Sequence, residues 1–195
     1  MPSKTEIVQA AIARCGSEVV NDLTLDVDEM VVVNATYDTI VEDYLCRHGW
    51  TFATRTTTIQ KNGATPKKPW LYEFDLPGDR LNLRVVRRNG DKFIDFDLIE
   101  DKLVALCDDD LDIEYNWKAS EARWPGDFAK CVQEALLATL LEAFEEATKA
   151  DRVQRRADAM IEMAIRRDRR QKPGGRQSNS RLLRAWFGRR AGRAL

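Results

Sequence analysis

The chain contains a single histidine, His48, and its four cysteines (Cys15, Cys46, Cys107 and Cys131) form no C-x-x-C pair. A zinc site would need an unusual all-cysteine set drawn from distant elements. Each cysteine sits in an apolar pattern, which predicts buried free thiols instead. Nucleophilic catalysis lacks parts as well. No serine or cysteine has a base placed for it. His48 follows Cys46 by two positions at a helix end, where a capping or core histidine is expected. There is no glycine-rich phosphate loop, since Gly174-Gly175 has no strand before it and reads as a linker. The acids Asp95/Asp97 and Asp108-Asp109-Asp110 have the chemistry to hold a divalent cation, but such groups are more often solvated faces. No apolar run approaches the roughly 18 residues of a membrane span. The opening MPSKTEIVQAAIARCG lacks the apolar centre of a secretion signal and predicts a helix. These absences predict a protein without catalytic residues, cofactor or metal, made in a reducing cytosol.

What is present is a core and an uneven charge. Apolar residues make up 44% of the chain and charged residues 32%, which suits one soluble domain of ordinary size. The net charge of −1 conceals an asymmetry. Residues 172–195 carry seven basic side chains and no acid, which leaves −8 on the rest. An acidic body with a basic tail predicts that the tail has its own partner. The expected division is a domain over 1–171 and a basic docking tail over 172–195.

Ile7, Val8, Ala11, Ile12 and Cys15 share one helical face, and Gly16 suits a C-terminal cap, so a helix is expected over about 4–16. A second is expected over about 28–48, with Met30, Val33, Tyr37, Ile40, Val41, Tyr44 and Leu45 on its stripe and Gly49 as its stop. Period two then takes over, which predicts a β insertion over about 51–117. Thr51 to Gln60 reads as a strand and Lys61 to Lys68 as a loop. Tyr72, Phe74 and Leu76 alternate with acids. Leu81, Leu83 and Val85 alternate with Asn82 and Arg84, and Asn89-Gly90 is a hairpin signal. Ile94, Phe96 and Leu98 alternate with Asp95 and Asp97. Leu111, Ile113, Tyr115 and Trp117 alternate with Asp112, Glu114 and Asn116, as in an antiparallel sheet wet on one side. Helix returns over about 127–148, with Asp127 as N-cap and Phe128, Val132, Leu136, Leu140 and Phe144 as its stripe. A last helix is expected over about 151–170, with Val153, Ala157, Met160, Ile161 and Ala164 inward and Glu162/Arg166 paired on the wet side. The fold class is therefore α+β: a four-helix core in αα–β–αα order with an antiparallel β insertion and an extended basic C-terminal tail.

Tyr44 to Val86 carries the most specific pattern. A helix closes on Trp50-Thr51-Phe52-Ala53 and hands over to β, and an aromatic strand later runs into Leu76-Pro77-Gly78-Asp79. This order resembles the head-to-tail adaptors of short-tailed phages, the tail tubular protein A type. In that family a Trp-x-Phe-Ala-like turn and a Leu-Pro-x-Asp motif stand in the same sequence. IVQAAIARCG resembles the family's opening helix, with Cys15-Gly16 where Ile-Gly is usual, and DFAKCVQEALLATLLEAF resembles its Ala/Leu-rich helix. The resemblance covers roughly residues 5–170.

The resemblance implies a structural virion protein made in the host cytoplasm. It implies a ring, twelve-membered in the family, that sits below the portal, extends the DNA channel and receives the next tail component (nozzle or tail tube protein). Long-tailed phages and gene transfer agents use related helical adaptors at the same joint. The implied partners are the portal, that tail component, neighbouring copies and genomic DNA passing through without specific binding, with no membrane involved. An acidic lumen would suit such passage, because each neutralised phosphate adds affinity and friction.

The tail is not a fixed part of the family pattern. In SRLLRAWFGRR, Leu182, Leu183, Trp186 and Phe187 recur at helical spacing beside Arg181, Arg184, Arg189 and Arg190. A solubilising disordered tail, a helix for nucleic acid or a membrane surface, and a partner-docking peptide all fit a basic amphipathic segment. Two adjacent aromatics among arginines favour docking, on the portal, since Trp, Phe and Arg anchor well in protein grooves. The alternative from another class is a nucleic-acid-binding protein that uses the Arg-rich C-terminal region.

Overall fold

In the computed structural model the described residues are 2–16 and 27–171. They form a mixed α+β protein with four helices and two antiparallel sheets. The eight residues that the tail reading names, Arg181 to Arg190, lie outside the described residues.

Helix α1 (Lys4–Cys15) starts on a capping box in which Ser3 and Glu6 satisfy each other's backbone N–H, and ends on Gly16 in the left-handed region at φ 95°. Helix α2 (Asp28–Cys46) stops three residues before Gly49, with the Arg47 N–H bonded to the Asp43 carbonyl. Strands β1 (Thr54–Ile59), β2 (Tyr72–Asp75), β3 (Arg80–Arg88), β4 (Asp91–Lys92), β5 (Phe96–Ile99), β6 (Lys102–Ala105) and β7 (Leu111–Trp117) follow. Helices α3 (Gly126–Ala143) and α4 (Ala147–Arg170) close the described part.

The strands divide into a four-stranded sheet, β1-β7-β3-β4, and a three-stranded sheet, β2-β6-β5. Asn89-Gly90 makes the expected hairpin, with φ of 53° and 85° between Arg88 and Asp91. A second tight turn, Glu100-Asp101, also has positive φ at both residues and joins β5 to β6. Strand β1 begins at Thr54 and not Thr51, because residues 51–53 form the turn that leads out of α2.

Several expectations need correction. On β3 the buried residue is Val86, not Val85. The register against β7 shifts between Leu83 and Val85, and such an irregularity reverses the alternation beyond it. The face of β7 expected to be wet buries Asn116 completely, since that end of the strand packs against the end of α2. Ile94 and Leu98 do not form an inward face but stand 70% and 47% exposed beside the open edge of β5. The break between α3 and α4 falls at 144–146, earlier than expected. Glu145 adopts φ 64° there and the Glu146 N–H closes back onto the Leu141 carbonyl. Phe144 consequently leaves the helix and is 37% exposed. Pro125 is the N-cap of α3, and Asp127 accepts the Phe128 N–H from inside the first turn. Glu162 and Arg166 are both exposed and make no ion pair among the described residues. Only Cys107 and Cys131 are buried, while Cys15 and Cys46 are half-buried, and all four thiols are free.

Two cores result. The larger collects the apolar faces of all four helices around α3, with Trp50 and Trp124 both packed edge-on against Phe128. The smaller lies between the sheets, with Ile59, Val86, Leu111, Ile113 and Tyr115 from one and Phe74, Leu103 and Ala105 from the other. Trp117 packs against both.

Candidate functional site

The Trp50-Thr51-Phe52-Ala53 turn is the joint between the two cores. Trp50 is buried and donates its indole N–H to the Tyr44 carbonyl at 2.9 Å, which closes the last turn of α2. Its ring meets Phe128 of α3 edge-on with centroids 5.0 Å apart, and Phe52 packs on the same Phe128 at 5.0 Å. The backbone of the turn folds on itself through Ala53 N–H to Trp50 C=O at 3.1 Å, then enters the sheet through Trp117 N–H to Ala53 C=O at 3.1 Å. An aromatic residue, a hydroxyl residue, an aromatic residue and a small one are what this path requires. The rings face α3, the threonine faces α4, and alanine leaves room for β7.

Thr51 is held by Asp168, near the end of α4. The carboxylate accepts the Thr51 N–H at 3.1 Å and the Thr51 hydroxyl at 2.6 Å, and lies 3.1 Å from His48 Nε2. Asp168 is only 4% exposed, and a buried charge is tolerated when each lone pair finds a donor. His48 is itself nearly buried and stands edge-on to Trp50 at 5.1 Å. Burial lowers the His48 pKa from its ordinary 6.5, and the facing Asp168 only partly opposes that shift. The neutral ring then donates from Nε2 to the carboxylate. Asn116 completes the joint by donating to the carbonyls of Leu45 and His48 at 2.8 and 3.0 Å, so a β7 side chain caps α2. Gly49 lies under Arg84, whose guanidinium would be 2.4 Å from a β-carbon at that position.

The Leu76-Pro77-Gly78-Asp79 motif reaches the same region from the other side. Asp79 is ion-paired with Arg55 and accepts the Tyr115 hydroxyl at 3.2 Å. Arg55 stacks 3.5 Å over the Trp117 ring, with Arg123 5.5 Å from that ring. Thr51, Phe52, Thr54, Arg55, Trp117 and Arg123 line a shallow cleft of about 360 Å³. The two sequence motifs are thus linked through Arg55.

The other sequence candidates do not converge on a site. Asp108, Asp109 and Asp110 turn to three separate partners, Lys61, Arg88 and Gln60. On the polar face of β7, Asp112 accepts from Thr58, and Glu114 lies 3.9 and 3.6 Å from Arg84 and Arg87 of β3. This face, expected to be acidic, is matched by arginines. Among the described residues no helix is long and apolar enough to cross a membrane.

Sequence reading missed Asp168 and Asn116. Asp168 had a signal, because it continues the buried series Ala157, Ile161, Ala164 and Ile165 at helical spacing. An acid on an apolar stripe announces a buried partner. Asn116 had none, since its burial depends on where α2 ends. No family model and no curated protein matches this chain.

Proposed function

We propose that the chain is a structural head-to-tail adaptor of a tailed phage, with no catalytic activity. It forms a ring under the portal, extends the DNA channel and receives the next tail component, with its 181–190 segment docked on the portal. The observation that carries the reading is the Trp50-Thr51-Phe52-Ala53 turn, which is both the centre of the family resemblance and the piece that welds α2, α3, α4 and β7 together. A joint of aromatic packing and buried hydrogen bonds suits a part whose task is to hold shape between two larger assemblies. The His48–Asp168 contact is packed into that joint, bonded to Thr51 and edge-on to Trp50.

Negative-stain imaging of the purified protein mixed with its portal tests this directly. A ring added to the lower face of the portal is expected, and a portal left bare at saturating protein would refute the reading.

The second reading, nucleic-acid binding, is favoured by the exposed arginines of α4, among them Arg152, Arg155, Arg166 and Arg170. It predicts duplex retention that falls steeply with salt. The adaptor reading predicts weak retention and portal attachment that depends on Trp186 and Phe187.

A further inference from the structure

Five of the eight large apolar side chains that stand exposed belong to the three-stranded sheet and its flanks. Three of them, Ile94, Leu98 and Ile99, lie along β5, which has no neighbouring strand on one side among the described residues, and are 70%, 47% and 43% exposed. Asp95, Asp97 and Glu100 stand among them, exposed and without an ion pair to any described residue. An open edge strand is a template for another chain, and proteins commonly cover such an edge with a helix or load it with charge. Two copies pairing edge to edge would set these carboxylates against each other, and like charges directly opposite are destabilising.

The opposite chemistry lies on α4. Arg152, Arg155, Ala159, Met163, Arg166 and Arg170 follow one another at helical spacing along its outer face, and all are exposed. Four arginines thus frame a small apolar centre, and none of the four is ion-paired with a described residue. The row is about 27 Å long, and the stretch from residue 94 to 100 spans about 20 Å. The helical row is therefore long enough to span the strand stretch, and the two faces are complementary in apolar centre and in sign of charge.

We infer that the outer face of α4 in one copy covers the β5 edge of the next. The contact is heterologous, joining two different patches, and contacts of that kind close into rings when the rotation allows. The inference rests on the ring reading above and identifies the surfaces that would build it. Met163 and Ala159 pack on Leu98 and Ile99, while the arginines meet Asp95, Asp97, Glu100 and the free carbonyls of β5. Charge pairing sets the register and makes the contact sensitive to salt.

Two variants of the full chain test this. The first carries Asp95→Lys, Asp97→Lys and Leu98→Ser, and the second carries Arg155→Glu and Arg166→Glu. All five positions are exposed, so thermal melting should leave both variants folded, and it verifies that they are. In sedimentation velocity at low ionic strength, the wild type should form species larger than a monomer as its concentration rises. Each variant alone should lose this association, and their equimolar mixture should regain it, because the swapped charges become complementary. Wild type that stays monomeric at every concentration, variants that associate as wild type does, or a mixture that regains nothing would overturn the contact. So would loss of association on Trp186→Ala with Phe187→Ala, which would assign the edge to the tail. Loss of duplex binding in the arginine variant with unchanged self-association would assign α4 to nucleic acid and overturn it too. Rings on the portal that survive both variants would remove this contact and leave the ring reading standing. A portal that recruits no wild-type ring would remove the ring reading, while self-association and its rescue would still decide the contact.

Discussion

Helix α3 is buried along nearly its whole length, and even its Glu134 is enclosed and bonded to Arg14 at 2.5 Å. Strand β5, by contrast, has three of its four residues exposed and one edge without a neighbouring strand among the described residues. The helical half encloses charged and polar groups by pairing them, as the Asp168, Thr51 and His48 contacts illustrate. The β half fills a small core between its sheets and presents leucine and isoleucine outward. Patches of that kind are usually covered in the working state of a protein. One half therefore supplies stability and the other supplies surface.

The largest expected effect lies at the joint. Trp50→Ala should cost about 3–5 kcal/mol, the range for emptying a large aromatic site in a tight core, read as a shift in the midpoint of urea unfolding. A loss below about 1 kcal/mol would mean the joint is not what holds the halves together.

Asp168→Ala comes next. It strips an acceptor from the Thr51 N–H, the Thr51 hydroxyl and His48 together. A loss of about 3 kcal/mol is expected, because hydrogen bonds to a charged group are among the stronger ones and the donors are left buried. Asp168→Asn should retain more stability than alanine, and equal losses would locate the effect in packing.

A smaller effect concerns pH. The folded state holds the His48 pKa below its ordinary 6.5, so the unfolded chain takes up a proton first as pH falls. The contribution is fully present above pH 6.5 and diminishes as pH drops below it toward the folded pKa. Melting temperature measured from pH 8 to 5 should show this decline, and His48→Gln should flatten it.

The smallest effect belongs to the edge. Leu98→Ser should change the stability of the isolated chain by no more than about 0.5 kcal/mol, as at other exposed positions. A large loss would show that β5 is packed within the chain and would erase the contrast between the halves.

What the sequence revealed depended on how local each cause was. The stripe Val8, Ala11, Ile12 and the Asn89-Gly90 turn are set by neighbours in the chain, and both are found where expected. Strand β6 went unrecognised because Leu103-Val104-Ala105 is a short continuous apolar run, and its place as the central strand between β2 and β5 is decided by pairing partners. The shift on β3 arises from its register with β7, which no alternation within β3 can reveal. At the joint, Trp50 and Phe52 were legible as a motif. Asn116 was not, because strand alternation alone placed it with the solvent-facing residues.

The position of Asp168 also has a mechanical side. It lies four residues before Lys172, where the basic tail begins. Helix ends ordinarily fray, and a pull on a tail would peel away the last turn first. Here the last turn is bolted to the Thr51 backbone and to His48, which places a clamp at the end of α4. Load applied at the end of α4 would therefore meet the Trp50 turn, which touches both cores, before it could unwind the helix.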